Sequence, residues 1–175
     1  GIGFVLICVA LANPVITHQE KVYTSRGTEI IFVIDTSPSM AAKDINGFTR
    51  IEAAISAIEK LVMNNSGASY GLILMGAESA VSVPITNDLE YFKKRLSTVS
   101  IGTLGDGTAI GTGLCSAIYH IKSTLAKRKC IILLTDGENN SGEVHPETAS
   151  GLAKKNGISL YTVGIGTNGT VPIEY

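Results

Sequence analysis

The heptapeptide EIIFVID at residues 29–35 carries five consecutive apolar residues and ends in a carboxylate. An apolar run without alternation is the mark of a strand covered on both faces, as in a parallel sheet sandwiched between helices. The sequence to its C-terminal side repeats the theme. Thr49 stands three residues before Glu52 in capping-box form, opening a helix whose Ile51, Ala54, Ile55, Ile58, Leu61 and Val62 share one face. A second strand, SYGLILM at 69–75, is followed after Gly76-Ala77-Glu78 by SAVSVPI at 79–85. So short a link permits only an antiparallel pair, and Pro84, lacking a donor, places the third strand at a sheet edge. Asn87-Asp88 caps a short helix through Leu89, Phe92 and Leu96, and residues 110–125 form another with Leu114, Ile118 and Ile121 on one face. CIILLT at 130–135 is a fourth strand ending at Asp136, a helix covers 145–155, and ISLYTV at 158–163 is a fifth strand. The fold class is α/β: a doubly wound, mostly parallel, Rossmann-like sheet with one antiparallel edge strand and helices on both faces.

With 175 residues, 45% of them hydrophobic, the chain has the size and apolar content of one domain. Its 14 Lys+Arg against 15 Asp+Glu leave no basic footprint for a phosphate backbone, so nucleic acid is not an expected partner. Aromatics at 6%, with no Trp, also leave few platforms for stacking bases or sugars. Cys8, Cys115 and Cys130 are odd in number, far apart and set in apolar stretches, which reads as buried free thiols rather than a disulfide framework or zinc site. Lys127-Arg128-Lys129 reads as a solvated helix end. His18, His120 and His145 stand apart from any nucleophile, in surface or capping positions.

Residues 1–12, GIGFVLICVALA, contain no polar side chain and are followed by Asn13-Pro14 and a polar stretch. A span needs about 20 apolar residues. The chain opens without Met, so the expectation is the end of a transmembrane helix begun in preceding residues; Ala10-Leu11-Ala12 also has the small-x-small form of a signal-peptide cleavage site. Residues 13–27 then form a juxtamembrane linker and 28–175 the folded domain. Only Lys21 and Arg26 follow the apolar run closely, a weak cytoplasmic flank that favours the periplasmic side.

Two carboxylates end buried strands, Asp35 and Asp136, and in an open parallel sheet ligands bind in the crevice at the carboxyl ends of the strands. Asp35 leads Ser37 and Ser39 at alternate positions, and Gly105-Asp106-Gly107-Thr108 offers a further hydroxyl on a loop that opens a helix. Each piece alone has an ordinary structural reading as a turn or a helix cap. Together they supply hard oxygen donors, with no His or Cys, as suits Mg²⁺, Mn²⁺ or Ca²⁺.

This conjunction closely resembles the von Willebrand factor type A domain, also called the integrin I-like domain, with its metal-ion-dependent adhesion site. The five positions of the family pattern are filled here by Asp35, Ser37, Ser39, Thr108 and Asp136. The resemblance implies Mg²⁺ or Mn²⁺ bound directly by the three hydroxyls, with Asp35 and Asp136 acting directly or through water, and one position open for an acidic side chain of a partner protein. Further stretches, among them LTDGENN at 134–140, are similar to the bacterial Bat aerotolerance-associated membrane proteins. That similarity implies a membrane-anchored protein of the bacterial inner membrane. It also implies partners that include a MoxR-type ATPase and other domains of this type, in stress tolerance or complex assembly. The family domain usually has a sixth strand and a final helix, so the sequence is expected to be a fragment at both ends. The expected role is a binding module, not an enzyme. Two alternatives are an Mg²⁺-dependent phosphoryl-transfer hydrolase using Asp35, against which Ser37 stands where such enzymes carry a second Asp, and a structural module with a vacant site. In the hydrolase reading Lys43 is the lysine to reach the crevice.

Overall fold

A computed structural model describes residues 27–65 and 67–167 of the chain. In chain order the elements are β1 (Thr28–Asp35), a 3-10 turn (Pro38–Ala41), α1 (Arg50–Asn64), β2 (Ser69–Met75), β3 (Ser79–Thr86), α2 (Leu89–Leu96), α3 (Ile110–Lys122), β4 (Arg128–Thr135), α4 (Pro146–Lys155) and β5 (Ser159–Gly164). The sheet order is β3-β2-β1-β4-β5. β1 is parallel to both β2 and β4, β4 to β5, and only β2–β3 is antiparallel. Order reverses between β1 and β4, so the loops that leave their carboxyl ends diverge and open a crevice there.

The alternation of side chains along β1 divides the interior into two layers. Ile30, Phe32 and Ile34 pack with Ile51, Ala54, Ile58 and Val62 of α1 and with Phe92 and Leu96 of α2. Ile31 and Val33 face Leu114, Ile118 and Ile121 of α3 and Ala149 and Ala153 of α4. A strand flanked on both faces in this way has no polar side to show, which is why its sequence is continuously apolar.

The helix α1 begins as expected: Thr49 is the N-cap, its hydroxyl accepts the Glu52 N–H, and the Glu52 carboxylate accepts the Thr49 N–H at 2.8 Å. Asp88 caps α2 through the Tyr91 N–H. Two boundaries differ from expectation by more than one residue. α3 ends at Lys122 instead of 125, because the Thr124 hydroxyl donates to the Ile121 carbonyl and turns the chain out, leaving Leu125 exposed. β4 starts at Arg128, since Arg128 and Lys129 pair with Thr28 and Glu29 of β1. The basic triplet is therefore the entry to a strand, not a helix end, with the Lys129 ammonium donating to the Lys122 carbonyl. Cys115 and Cys130 are free but only half-buried. His120 is exposed on α3, and His145 is the N-cap residue of α4 without a capping bond from its side chain.

Among the described residues no helix is long and apolar enough to cross a membrane. The apolar run at 1–12, the linker, Cys8 and His18 lie outside them.

Candidate metal centre

Asp35 closes β1 and is fully enclosed. Its Oδ1 accepts the Ser37 backbone N–H at 2.9 Å, and its Oδ2 accepts the Thr135 hydroxyl at 2.7 Å. Thr135 is the last residue of β4, so the second bond spans the switch point. Parallel register, with Ile34 beside Leu134, sets the two residues level. Burial pushes the Asp35 carboxyl above its ordinary range, the bonds from Ser37 and Thr135 draw it back in part, and the charge of Asp136 raises it further.

The turn after Asp35 presents its side chains alternately. Thr36 points inward, its N–H and hydroxyl both donating to the Met75 carbonyl at 2.7 and 2.9 Å, which ties the end of β1 to the end of β2. Ser37 and Ser39 lie on the other side, their hydroxyl oxygens 3.0 Å apart. Met40 plugs the core beneath them.

Thr108 is buried, and its loop is stitched to the loop after β4. The Asn140 side-chain oxygen accepts the Thr108 N–H at 2.8 Å, and the N–H groups of Asn140 and Ser141 return to the Thr108 carbonyl at 3.1 Å each. Asn139 accepts the Ile110 N–H at 3.0 Å, satisfying a donor at the start of α3 that no residue of its own loop caps. Contact is so close at Gly107 that a Cβ there would strike the Ser141 hydroxyl, which accounts for glycine at that position.

Asp136 follows Thr135. Its side chain is 4% exposed, Oδ2 accepts Arg50 Nη1 at 2.9 Å, and Oδ1 is buried without a hydrogen-bond partner. Arg50 turns its Nε and Nη2 to Asp44, with Nη2 2.7 Å from Oδ2. Asp44 Oδ2 also accepts the Thr167 N–H and hydroxyl, each at 3.1 Å. The Asp44 pairing raises the Arg50 guanidinium in turn, so its charge is fixed.

The Arg50 guanidinium holds the Asp44 carboxyl well below the usual carboxylate range. A depressed folded pKa gives stability that is complete above the unfolded value, near 3.8, and is lost as pH falls below it. Acid unfolding followed by circular dichroism over roughly pH 5 to 2 is therefore expected to be steeper for the native chain than for Asp44→Asn. Asp35 is common to both proteins, so the difference isolates Asp44; parallel curves would contradict the assignment.

Of the five residues singled out from the sequence, Asp35, Ser37 and Ser39 form one hydrogen-bonded turn. Asp136 adjoins them through Thr135, and Thr108 is fastened to the Asp136 loop. A divalent cation fits this set on two grounds. The donors are carboxylate and hydroxyl oxygens alone, and one buried carboxylate oxygen lacks the partner that burial demands. No group of three or more His, Cys, Asp or Glu that could hold a metal occurs among the described residues, as expected of a site built largely from hydroxyls. Lys43 is exposed, where its charge acts on Glu52, and the cation beside Asp136 is Arg50 instead. Sequence reasoning missed Arg50, Asp44, Thr135 and Asn139-Asn140. Arg50 was hidden as the second residue of the capping box, and Thr135 passed as the end of an apolar strand.

The profile of the von Willebrand factor type A domain matches residues 29–172. An uncharacterised protein of Borreliella burgdorferi is 32% identical over 95% of this chain and 49% of its own length, and a UPF0353 protein of Nocardia farcinica is 30% identical over 98% and 54%. The chain thus spans about half the length of these relatives. Among solved structures, an aerotolerance-related membrane protein of Bacteroides fragilis superposes with a TM-score of 0.75 at 30% identity, covering 85% of this chain and 73% of that one. BatB of Bacteroides thetaiotaomicron gives 0.70 at 31% identity, over 85% and 75%. A mussel byssus protein, proximal thread matrix protein 1, gives 0.67 at 26% identity over 81% and 36%, and was solved with zinc in its metal-ion-dependent adhesion site.

Proposed function

The chain belongs to the von Willebrand factor type A domain family, and from that premise we propose that it is a divalent-cation-dependent protein-binding module. The observation that carries this reading is the buried, unpartnered Oδ1 of Asp136 beside the turn of Asp35, Ser37 and Ser39. Ser37, Ser39, Thr108 and Asp136 would hold Mg²⁺ or Mn²⁺, with Asp35, whose two oxygens are engaged by Ser37 and Thr135, acting through water; zinc in the adhesion site of the mussel protein supports a divalent ion at such a site. The bound cation supplies an electrophilic centre for an oxygen of a partner's Asp or Glu. The chain keeps it so. Neutral hydroxyls make up most of the donor set, Asp136 is already engaged by Arg50, and Asp35 is tied to Ser37 and Thr135. Little negative charge reaches the ion, and it retains its appetite for an external carboxylate.

The same enclosure argues against phosphoryl transfer. A nucleophile must reach its substrate, whereas both Asp35 oxygens are engaged and the residue is sealed from solvent. The similarity to an aerotolerance-related membrane protein supports a place at a membrane; we propose the bacterial inner membrane, with the domain on the periplasmic side because only Lys21 and Arg26 closely follow the apolar run. The partners we propose are a MoxR-type ATPase or another domain of the same type, in stress tolerance or complex assembly.

The test is affinity capture from the native cell on the immobilised chain in Mg²⁺, with and without a chelator, beside Asp136→Ala. Proteins retained only by the metal-loaded native chain are the expected result. A retained set unchanged by the chelator and by the substitution would overturn the reading.

A further inference from the structure

We propose that Arg50 is a positioning residue of the metal centre: by holding Oδ2 of Asp136 it presents the other carboxylate oxygen, Oδ1, to the cation. The inference rests on the metal reading above and goes beyond the oxygen donors to the device that aims one of them.

A carboxylate at the end of a strand is free to rotate unless something fixes one oxygen. Here Arg50 Nη1 takes Oδ2 at 2.9 Å, and the opposite oxygen, Oδ1, is left buried with no partner. Arg50 is itself immobilised. Nε reaches both oxygens of Asp44 at 3.1 Å and Nη2 reaches Oδ2 at 2.7 Å, a fork that only the planar guanidinium can make while keeping one arm for a second carboxylate. Asp44 is secured in turn by the Thr167 N–H and hydroxyl. Gly166, at a φ of +143° where side chains are disfavoured, lies against the guanidinium face; a Cβ there would come within 3.3 Å of Cζ and Nε. The side chain is only 14% exposed. The segments at 44 and 166–167 hold the guanidinium between them, and its remaining arm, Nη1, points at Asp136. A lysine would supply the charge without the fork.

The test is calorimetric titration of the full chain with Mn²⁺, for the native protein, Arg50→Gln, Arg50→Lys and Glu52→Ala. Glu52 belongs to the capping box at the same helix start, so its variant loosens that end of α1 without touching Asp136. Loss of an outer partner of a metal ligand typically weakens affinity about 10–100-fold. Arg50→Gln is expected to fall in that range and Arg50→Lys to recover part of it, about threefold or more below the native chain. Glu52→Ala, which removes the acceptor of the Thr49 N–H, is expected to lower the thermal midpoint while leaving Mn²⁺ affinity unchanged. Native affinity in Arg50→Gln, or in Arg50→Lys should the Arg50→Gln variant fail to fold, would overturn the inference, as would an equal loss in Glu52→Ala. A native chain that binds no Mn²⁺ would remove the metal reading and this inference together, whereas native binding with indifferent Arg50 variants removes the inference alone.

Discussion

Asp35→Asn is expected to weaken Mn²⁺ binding about 10–100-fold and at the same time to raise the unfolding temperature of the chelator-treated protein. Asp35 is enclosed, and burial lifts its carboxyl pKa in spite of the bonds from Ser37 and Thr135. A folded pKa above the unfolded one means that the favourable contribution is present below the unfolded value and disappears as pH rises through the folded one. At neutral pH, above the unfolded value, Asp35 therefore weighs against the metal-free fold. Asparagine keeps the shape: its oxygen accepts the Ser37 N–H, and its amide donates to a Thr135 hydroxyl that reverses its role. Removing a carboxylate that backs the donors of the centre should cost affinity about the 10–100-fold typical of an outer partner. Thermal unfolding with and without Mn²⁺ reads both effects. At about one hundred times its dissociation constant the ion should stabilise the native chain by about 2.7 kcal/mol and Asp35→Asn by much less. A variant less stable than the native chain in chelator would show that the buried charge is compensated within the fold.

Phe92→Ala carries the largest expected loss of stability, about 3–5 kcal/mol. Phe92 is fully buried where α2 meets the sheet, its ring centroid 6.0 Å from Phe32 and 5.6 Å from Tyr70. These three rings fill the layer between α2 and strands β1 and β2, and the buried Leu96 and Val83 belong to the same cluster. Truncation leaves a cavity that neighbouring side chains packed at crystal-like density close only in part. The urea midpoint should fall with little change in slope, and Mn²⁺ affinity of the folded protein should not change, because the cluster lies within the sheet-and-helix layer and contributes no donor to the centre. A loss under about 1 kcal/mol would mean that the layer repacks around the gap.

How far the sequence alone could be read depended on whether a feature is local. β1 and β2 were legible because covered strands must be apolar throughout, and α1 because its cap and its apolar face repeat at helical spacing. Asp35, Ser37 and Ser39 were legible because alternate positions in one short turn fall on one side. The edge position of β3 followed from a single missing donor at Pro84. Arg50 was not legible. Its partners Asp44 and Asp136 lie 6 and 86 residues away, and the Thr167 that steadies Asp44 is 123 residues from it; no pattern along the chain encodes a convergence made by tertiary folding. The Thr135–Asp35 bond crosses 100 residues and is visible only once β1 and β4 are known to be neighbours. The end of α3 was misjudged for a smaller reason: the Thr124 hydroxyl competes for a helical carbonyl where the apolar spacing alone would continue.

Diffraction at the manganese edge from crystals of the full chain grown with Mn²⁺ locates the ion outright. One anomalous peak is expected, bounded by the hydroxyls of Ser37, Ser39 and Thr108 and by Oδ1 of Asp136. Ordered metal elsewhere, or none beside a fully formed Asp35 turn, would contradict the metal reading.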